Sequence, residues 1–195
     1  MVTLFCNCAS SYKTINPKTL NYISKDKSGE VTLEYKYDVL NGKYERKEIK
    51  KGVKLLAVKI SNNTEEDLVF GKDIKLVYGD NSDVSIMENV DTYKVLKQSA
   101  GTYLFYLLLT PMNLYTTETR NGIQETTSST PIGLVFGPGL AGGNLIAASS
   151  ANKKFNDEIL NYNIIGHTIK KGETVYGLIG VKSNTFNAIK LKINK

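Results

Sequence analysis

Residues 99 to 151 read SAGTYLFYLLLTPMNLYTTETRNGIQETTSSTPIGLVFGPGLAGGNLIAASSA, and the division of the chain follows from how this stretch is read. No charged side chain occurs from Ser99 to Thr117 or from Thr126 to Asn152, although charged residues make up 23% of the chain. Two apolar blocks joined by a polar tip demand a dry surface: the interior of the protein, a partner, or a bilayer.

In the first block Asp91 is a natural N-cap, and Tyr93, Leu96, Ala100, Tyr103 or Leu104, and Leu107 recur at helical spacing until Pro111. From Tyr103 to Leu109 the apolar character wraps every side, so one buried face does not account for it. Val95 to Leu109 would still extend only about 22 Å at roughly 1.5 Å per residue. That is short of a hydrocarbon core of roughly 30 Å, so this helix is not expected to span one. Met112 to Thr130 is rich in Thr and centred on Asn121-Gly122, the pair that favours a tight hairpin, which predicts a β-ribbon.

The second block places Gly133, Gly137, Gly139, Gly143, Ala147 and Ala151 with several pairs four apart, a spacing that lets two helices approach closely. Pro138 disfavours helix at Gly137, so a helix is expected to begin near Gly139 and run through Phe155 and Ile159. The residues offered to a membrane or a partner are Tyr103, Leu104, Phe105, Leu107, Leu108, Leu134, Phe136 and Leu140. A helical hairpin packed on the protein's own sheet is the competing reading. Gly137-Pro-Gly139-Leu-Ala-Gly142 also satisfies G-x-G-x-x-G, with Asp157 about 20 residues on. The dinucleotide fingerprint needs a parallel βαβ unit, and the flanking sequence is antiparallel in pattern.

Those flanks have the period of strands. Val31, Leu33, Tyr35, Tyr37 and Val39 alternate with polar residues; Asn41-Gly42 then suggests a hairpin, with Lys43 to Ile49 as the returning edge strand. Val53 to Ile60, Leu68 to Phe70 and Ile74 to Tyr78 supply further strands. Beyond the apolar stretch, Thr174 to Val181 and Ile189 to Ile193 repeat the grammar, which favours a mainly β, antiparallel sandwich carrying an insertion.

Both cysteines lie in MVTLFCNCAS at the start, so no internal disulfide framework exists, and with His167 as the single histidine no metal-ligand set is apparent. A short apolar run, a Cys and then Ala-Ser-Ser resemble the end of a bacterial lipoprotein signal peptide. Cys8 is then the acylated residue, with Cys6 the alternative, and each buried methylene of an acyl chain contributes roughly 0.8 kcal/mol to membrane binding. The segments LLAVKISNNTEEDLVFGKDIKLVYG and IKKGETVYGLIGVKSNTFNAIKLKI, with CASSYKTINP and the Gly-rich middle, are similar to uncharacterised Bacteroidota lipoproteins. That resemblance implies an immunoglobulin-like β-sandwich and carries no catalytic residue with it.

The expected organisation is a signal-peptide remnant over 1–8, a tether over 9–29, and a sandwich over 30–195 interrupted by an insertion at 91–162. The net charge of +6 is carried mostly by Lys scattered singly, and without a basic cluster interleaved with aromatics nucleic acid is not an expected partner. His167 precedes a polar turn with no nucleophile motif beside it, and Glu65-Glu66-Asp67 has the wrong spacing for a calcium loop. No catalytic, cofactor-binding or metal-ligating residue is assigned. The function expected is a lipid-anchored outer-membrane protein, periplasm-facing, serving as an accessory or scaffolding subunit of a membrane-associated complex. A glycan- or ligand-binding sandwich is the alternative, with Tyr35, Tyr37, Tyr44 and Tyr78 as candidate platform residues. An enzyme built around His167 and a carboxylate is the third.

Overall fold

The computed structural model describes residues 8–194, and the backbone there forms eleven strands and three α-helices. In chain order these are β1 (Ser24–Ser28), β2 (Val31–Lys36), α1 (Gly42–Lys51), β3 (Val53–Asn62), β4 (Leu68–Val69), β5 (Ile74–Tyr78), β6 (Ile86–Met87) and α2 (Asn89–Leu96). They continue with β7 (Leu114–Arg120), β8 (Ile123–Thr130), α3 (Gly133–Asn161), β9 (Thr168–Ile169), β10 (Thr174–Lys182) and β11 (Ile189–Ile193). Strand and helix contribute nearly equally, 33% and 32%, so the chain is mixed α/β with mostly antiparallel sheets and no closed barrel, where a mainly β protein was expected.

Two compact units divide the described residues: 8–11 with 98–151, and 12–97 with 152–194. The charge-poor stretch is therefore a unit of its own, with borders seven and eleven residues inside those expected for the insertion at 91–162.

In the larger unit a five-stranded antiparallel sheet runs in the order β1-β2-β3-β10-β6. Alternation decides its two faces. Leu33, Tyr35, Leu56, Val58, Ile60, Ile179 and Val181 join one apolar cluster with Leu68, Ile74, Leu76, Ile169, Ile189 and Leu191 from the paired strands β4-β9 and β5-β11. The opposite face, with Leu55, Ala57 and Leu178 fully buried, lies under α1 and α2. This two-sided burial explains why β3 reads as a nearly continuous apolar run instead of an alternating one.

Three expectations are corrected here. Asn41-Gly42 does not open a hairpin, and residues 42–51 are helical. Tyr44 and Glu48, four apart, face inward; Gly52, at φ 62°, ends the helix in the left-handed conformation and donates its N–H to the Glu48 carbonyl. Lys51-Gly52 is thus a helix cap. The stretch 9–29 is no free tether: Tyr12, Ile15 and Pro17 are buried, and β1 pairs along its whole length with β2. The helix expected from Asp91 to Pro111 stops at Leu96, and a 3-10 helix over Ala100–Leu109 follows it.

Candidate functional site

The smaller unit is built on close backbone approach. α3 begins at Gly133, earlier than the expected Gly139, and Pro138 lies inside it. Gly133 donates its N–H to the Met112 carbonyl at 2.9 Å. A Cβ on Gly133 would stand 2.1 Å from the Leu109 carbonyl oxygen, and one on Gly137 would stand 2.6 Å from Thr110 Oγ1. Only glycine permits the 3-10 helix to end this near the helix, so Gly133 and Gly137 play the role expected of the small residues spaced by four, whereas Gly139 and Gly143 meet nothing within 4 Å and Ala147 is exposed. Ala141, Ala148 and Ala151 continue the buried stripe of α3.

The large side chains point the other way. Phe105, Leu108, Val135 and Ile146 are each more than 70% exposed, and Leu104, Leu107, Leu134 and Phe136 lie between 44% and 59%. Small residues inside and large apolar residues outside invert the ordinary arrangement of a helix in water. Covering an apolar side chain of this size contributes roughly 1.5–3 kcal/mol. Even half coverage of these eight would then be worth on the order of 10 kcal/mol, comparable to the whole stability of a typical domain. α3 is also long and apolar enough, by length and composition, to cross a membrane.

Of the eight contact residues expected, Leu104, Phe105, Leu107, Leu108, Leu134 and Phe136 are exposed and Leu140 is half-buried. Tyr103 is corrected: it is 3% exposed, and its ring stacks parallel to that of Tyr106 with centroids 6.5 Å apart. Between the apolar blocks, β7 and β8 form the expected ribbon, turned by Asn121 (φ 52°) and Gly122 (φ 78°) and bulged between Thr116 and Thr117. Every residue of β8 is exposed.

Cys8 belongs to this same unit and is exposed. The residues after it are fixed: the Ala9 N–H donates to Asn144 Oδ1 at 2.5 Å, the Ser10 N–H to Gln98 Oε1 at 3.1 Å, and Gln98 Nε2 back to the Ser10 carbonyl at 2.6 Å. An acyl group on Cys8 would therefore leave from the unit that bears the bare apolar surface. Cys6 and the rest of the expected signal-peptide remnant before Cys8 lie outside the described residues.

The other candidates are dispersed. Gly137 to Gly142 is helical throughout, so the G-x-G-x-x-G match forms no phosphate-cradling loop. His167 is exposed in the turn before β9, and its carbonyl accepts the Phe70 N–H at 3.0 Å. Among the described residues no three His, Cys, Asp or Glu side chains gather as a metal site. Asp67 Oδ1 accepts the Lys171 N–H at 2.9 Å and Glu65 pairs with the Lys171 ammonium, so the acidic turn fastens a neighbouring loop. The tyrosine platform is corrected too: Tyr44 is on α1 and buried, Tyr35 is buried and its hydroxyl accepts the Ile189 N–H, and only Tyr37 and Tyr78 are partly open.

Two buried carboxylates escaped the sequence reading. Glu48, 1% exposed, accepts the Leu55 N–H on Oε1 at 2.6 Å, and its Oε2 has no partner among the described residues. Burial pushes its carboxyl up to about 7, against the opposing pull of the Leu55 N–H and the Lys54 ammonium. Glu158 on α3 accepts the Tyr12 hydroxyl and, at 2.9 Å, the Ile15 N–H. Burial raises it above the usual carboxylate range while these two donors draw it back. Glu158 shares a helix face with Phe155 and Ile159, and that spacing was the only signal of its inward position.

Compared with family models, curated proteins and solved structures, the chain matches none of them.

Proposed function

We propose that the chain is a membrane-bound accessory or scaffolding protein of the cell envelope, a lipoprotein of the outer membrane facing the periplasm. In this reading an acyl chain on Cys8 and the bare surface of the smaller unit attach it to the membrane beside a membrane-associated complex. The larger unit, an immunoglobulin-like sandwich with helices added to one sheet, serves as the scaffold, and the protein's role is attachment, not catalysis. The observation that carries the reading is the inverted packing of α3, with Gly133, Gly137 and Ala141 buried and Val135, Phe136 and Ile146 exposed. Cys8 stands in the same unit and supplies the second of the two attachments that stable anchoring requires.

Two measurements test it. In cells, radiolabelled palmitate is expected to enter the wild type and not Cys8→Ser; equal labelling takes the anchor away from Cys8, and none in either removes it. Replacing exposed Phe105, Leu108 and Phe136 with Ser is expected to move Cys8→Ser protein from the membrane to the soluble fraction. Retention of that variant in the membrane fraction would end the role given to the apolar surface.

A further inference from the structure

We propose that the end of the larger unit where the chain crosses to the smaller one binds anionic lipid headgroups. This rests on the membrane reading above and adds a lipid class to it. The chain leaves the larger unit at Lys97 and returns at Asn152. Basic side chains collect around both points. Lys47 on α1 donates its ammonium to the Lys97 carbonyl, which brings α1 to the end of α2. Tyr44, also on α1, packs its ring 4.9 Å from Phe155 and donates its hydroxyl to Asn152 Oδ1 at 3.0 Å, so α1 also meets the start of the returning segment. Immediately between Asn152 and Phe155 stand Lys153 and Lys154, both exposed.

Lys50, Lys51 and Lys97 are exposed beside Lys47. The Lys47 ammonium is held below its usual range, first by burial and then by the charges of Lys51, Lys97 and Lys50, which reports how closely these cations stand. Few carboxylates offset them: Asp91 is paired with Lys94 at 3.1 Å, Glu48 and Glu158 are buried, and Asp38, Glu45 and Asp157 remain exposed. Ile49, 67% exposed, lies in sequence among these cations. Of the three crossings, those at Lys97 and Asn152 lead within two residues into chain without charge, Ser99 to Thr117 and, read backwards, Ala151 to Thr126. A cluster of cations bordering a charge-free apolar segment matches the boundary between headgroups and acyl chains. A nucleic acid or an acidic protein would make no use of the charge-free segments that adjoin these cations in sequence.

The test uses the full chain as Cys8→Ser, so that flotation reads the protein's own surface, diluted from neutral detergent onto two vesicles. One is phosphatidylcholine alone; the other is phosphatidylcholine with phosphatidylglycerol in equal parts. The chain is expected to float with both, more tightly with the second, and to lose that preference in high salt. Each exposed lysine near an anionic surface is worth about a five-fold change in binding, so Lys50→Gln/Lys51→Gln/Lys154→Gln should bind the anionic vesicle about 100-fold more weakly and the neutral one unchanged. Equal flotation with both vesicles, or a triple variant that binds like its parent, overturns the headgroup surface and leaves the membrane reading standing. Flotation with neither overturns both. Loss of a co-purifying protein on the triple substitution, with vesicle binding unaltered, would assign the cations to a protein partner and overturn the proposal.

Discussion

Glu48 should make the protein less stable as the solution becomes more alkaline. Its carboxyl is pushed from an ordinary 4.5 to about 7 because burial disfavours the charge more than the Leu55 N–H and Lys54 favour it. The folded state therefore holds a proton that the unfolded state has released. Stability from this group is fully present below about pH 4.5, falls as pH rises to about 7, and is constant beyond. A displacement of this size, at about 1.4 kcal/mol per pH unit, corresponds to about 3 kcal/mol, a large fraction of what holds a typical domain together. Glu48→Gln keeps an oxygen for the Leu55 N–H and removes the titration. Urea unfolding followed by circular dichroism in neutral detergent, from about pH 4 to about pH 8, should show a declining wild type and a flatter variant that is the more stable of the two above pH 7. Glu158 slopes in the same direction, so the difference between the two curves isolates Glu48. Parallel curves, or a Glu48 carboxyl carbon titrating near 4.5 by NMR, would refute the reasoning.

Three further outcomes follow from the packing. Phe155→Ala should cost about 3–5 kcal/mol in urea unfolding, because its fully buried ring touches Tyr12, Tyr44 and Tyr93 with centroids 4.9–6.1 Å away. Tyr12→Phe should cost about 1.5–3 kcal/mol by the same assay, since it takes a donor from the buried Glu158, and it should raise the Glu158 carboxyl further. Gly133→Ala would press a methyl against the Leu109 and Thr110 carbonyls, at a cost of about 1–3 kcal/mol. Hydrogen exchange should then accelerate at the amides around Met112 and Gly133 and stay unchanged in β3 and β10.

What the sequence makes legible are the elements whose side chains follow one simple period. β2 and β11 alternate, and Asn121-Gly122 turns a ribbon where two positive φ angles are needed. The smaller unit is visible because two charge-free runs flank its ribbon, although its borders fall inside the expected 91–162. α1 was hidden because the helix face is carried by one tyrosine and a carboxylate, so counting apolar residues finds nothing at i and i+4. The order in 12–28 was hidden for a different reason: Tyr12 and Ile15 are held by Glu158, more than 140 positions away, and no local pattern announces such a partner. Tyr103 and Phe105 are both large aromatics in one charge-free run, and only the packing of the 3-10 helix decides that the first turns in and the second out.

The pairing of β3 with β10 also sets a timetable for biosynthesis. Ser61 and Thr174, hydrogen-bonded neighbours at 2.8 Å, are 113 positions apart. At cellular translation speeds the ribosome needs on the order of 10 s to deliver the second after the first. Throughout that interval β3 keeps a raw edge, and the whole of 98–151 leaves the exit tunnel before the strand that closes the sheet. The nascent chain thus shows its oiliest segment before any finished domain exists, and factors that shield emerging hydrophobic chains would meet it at that stage.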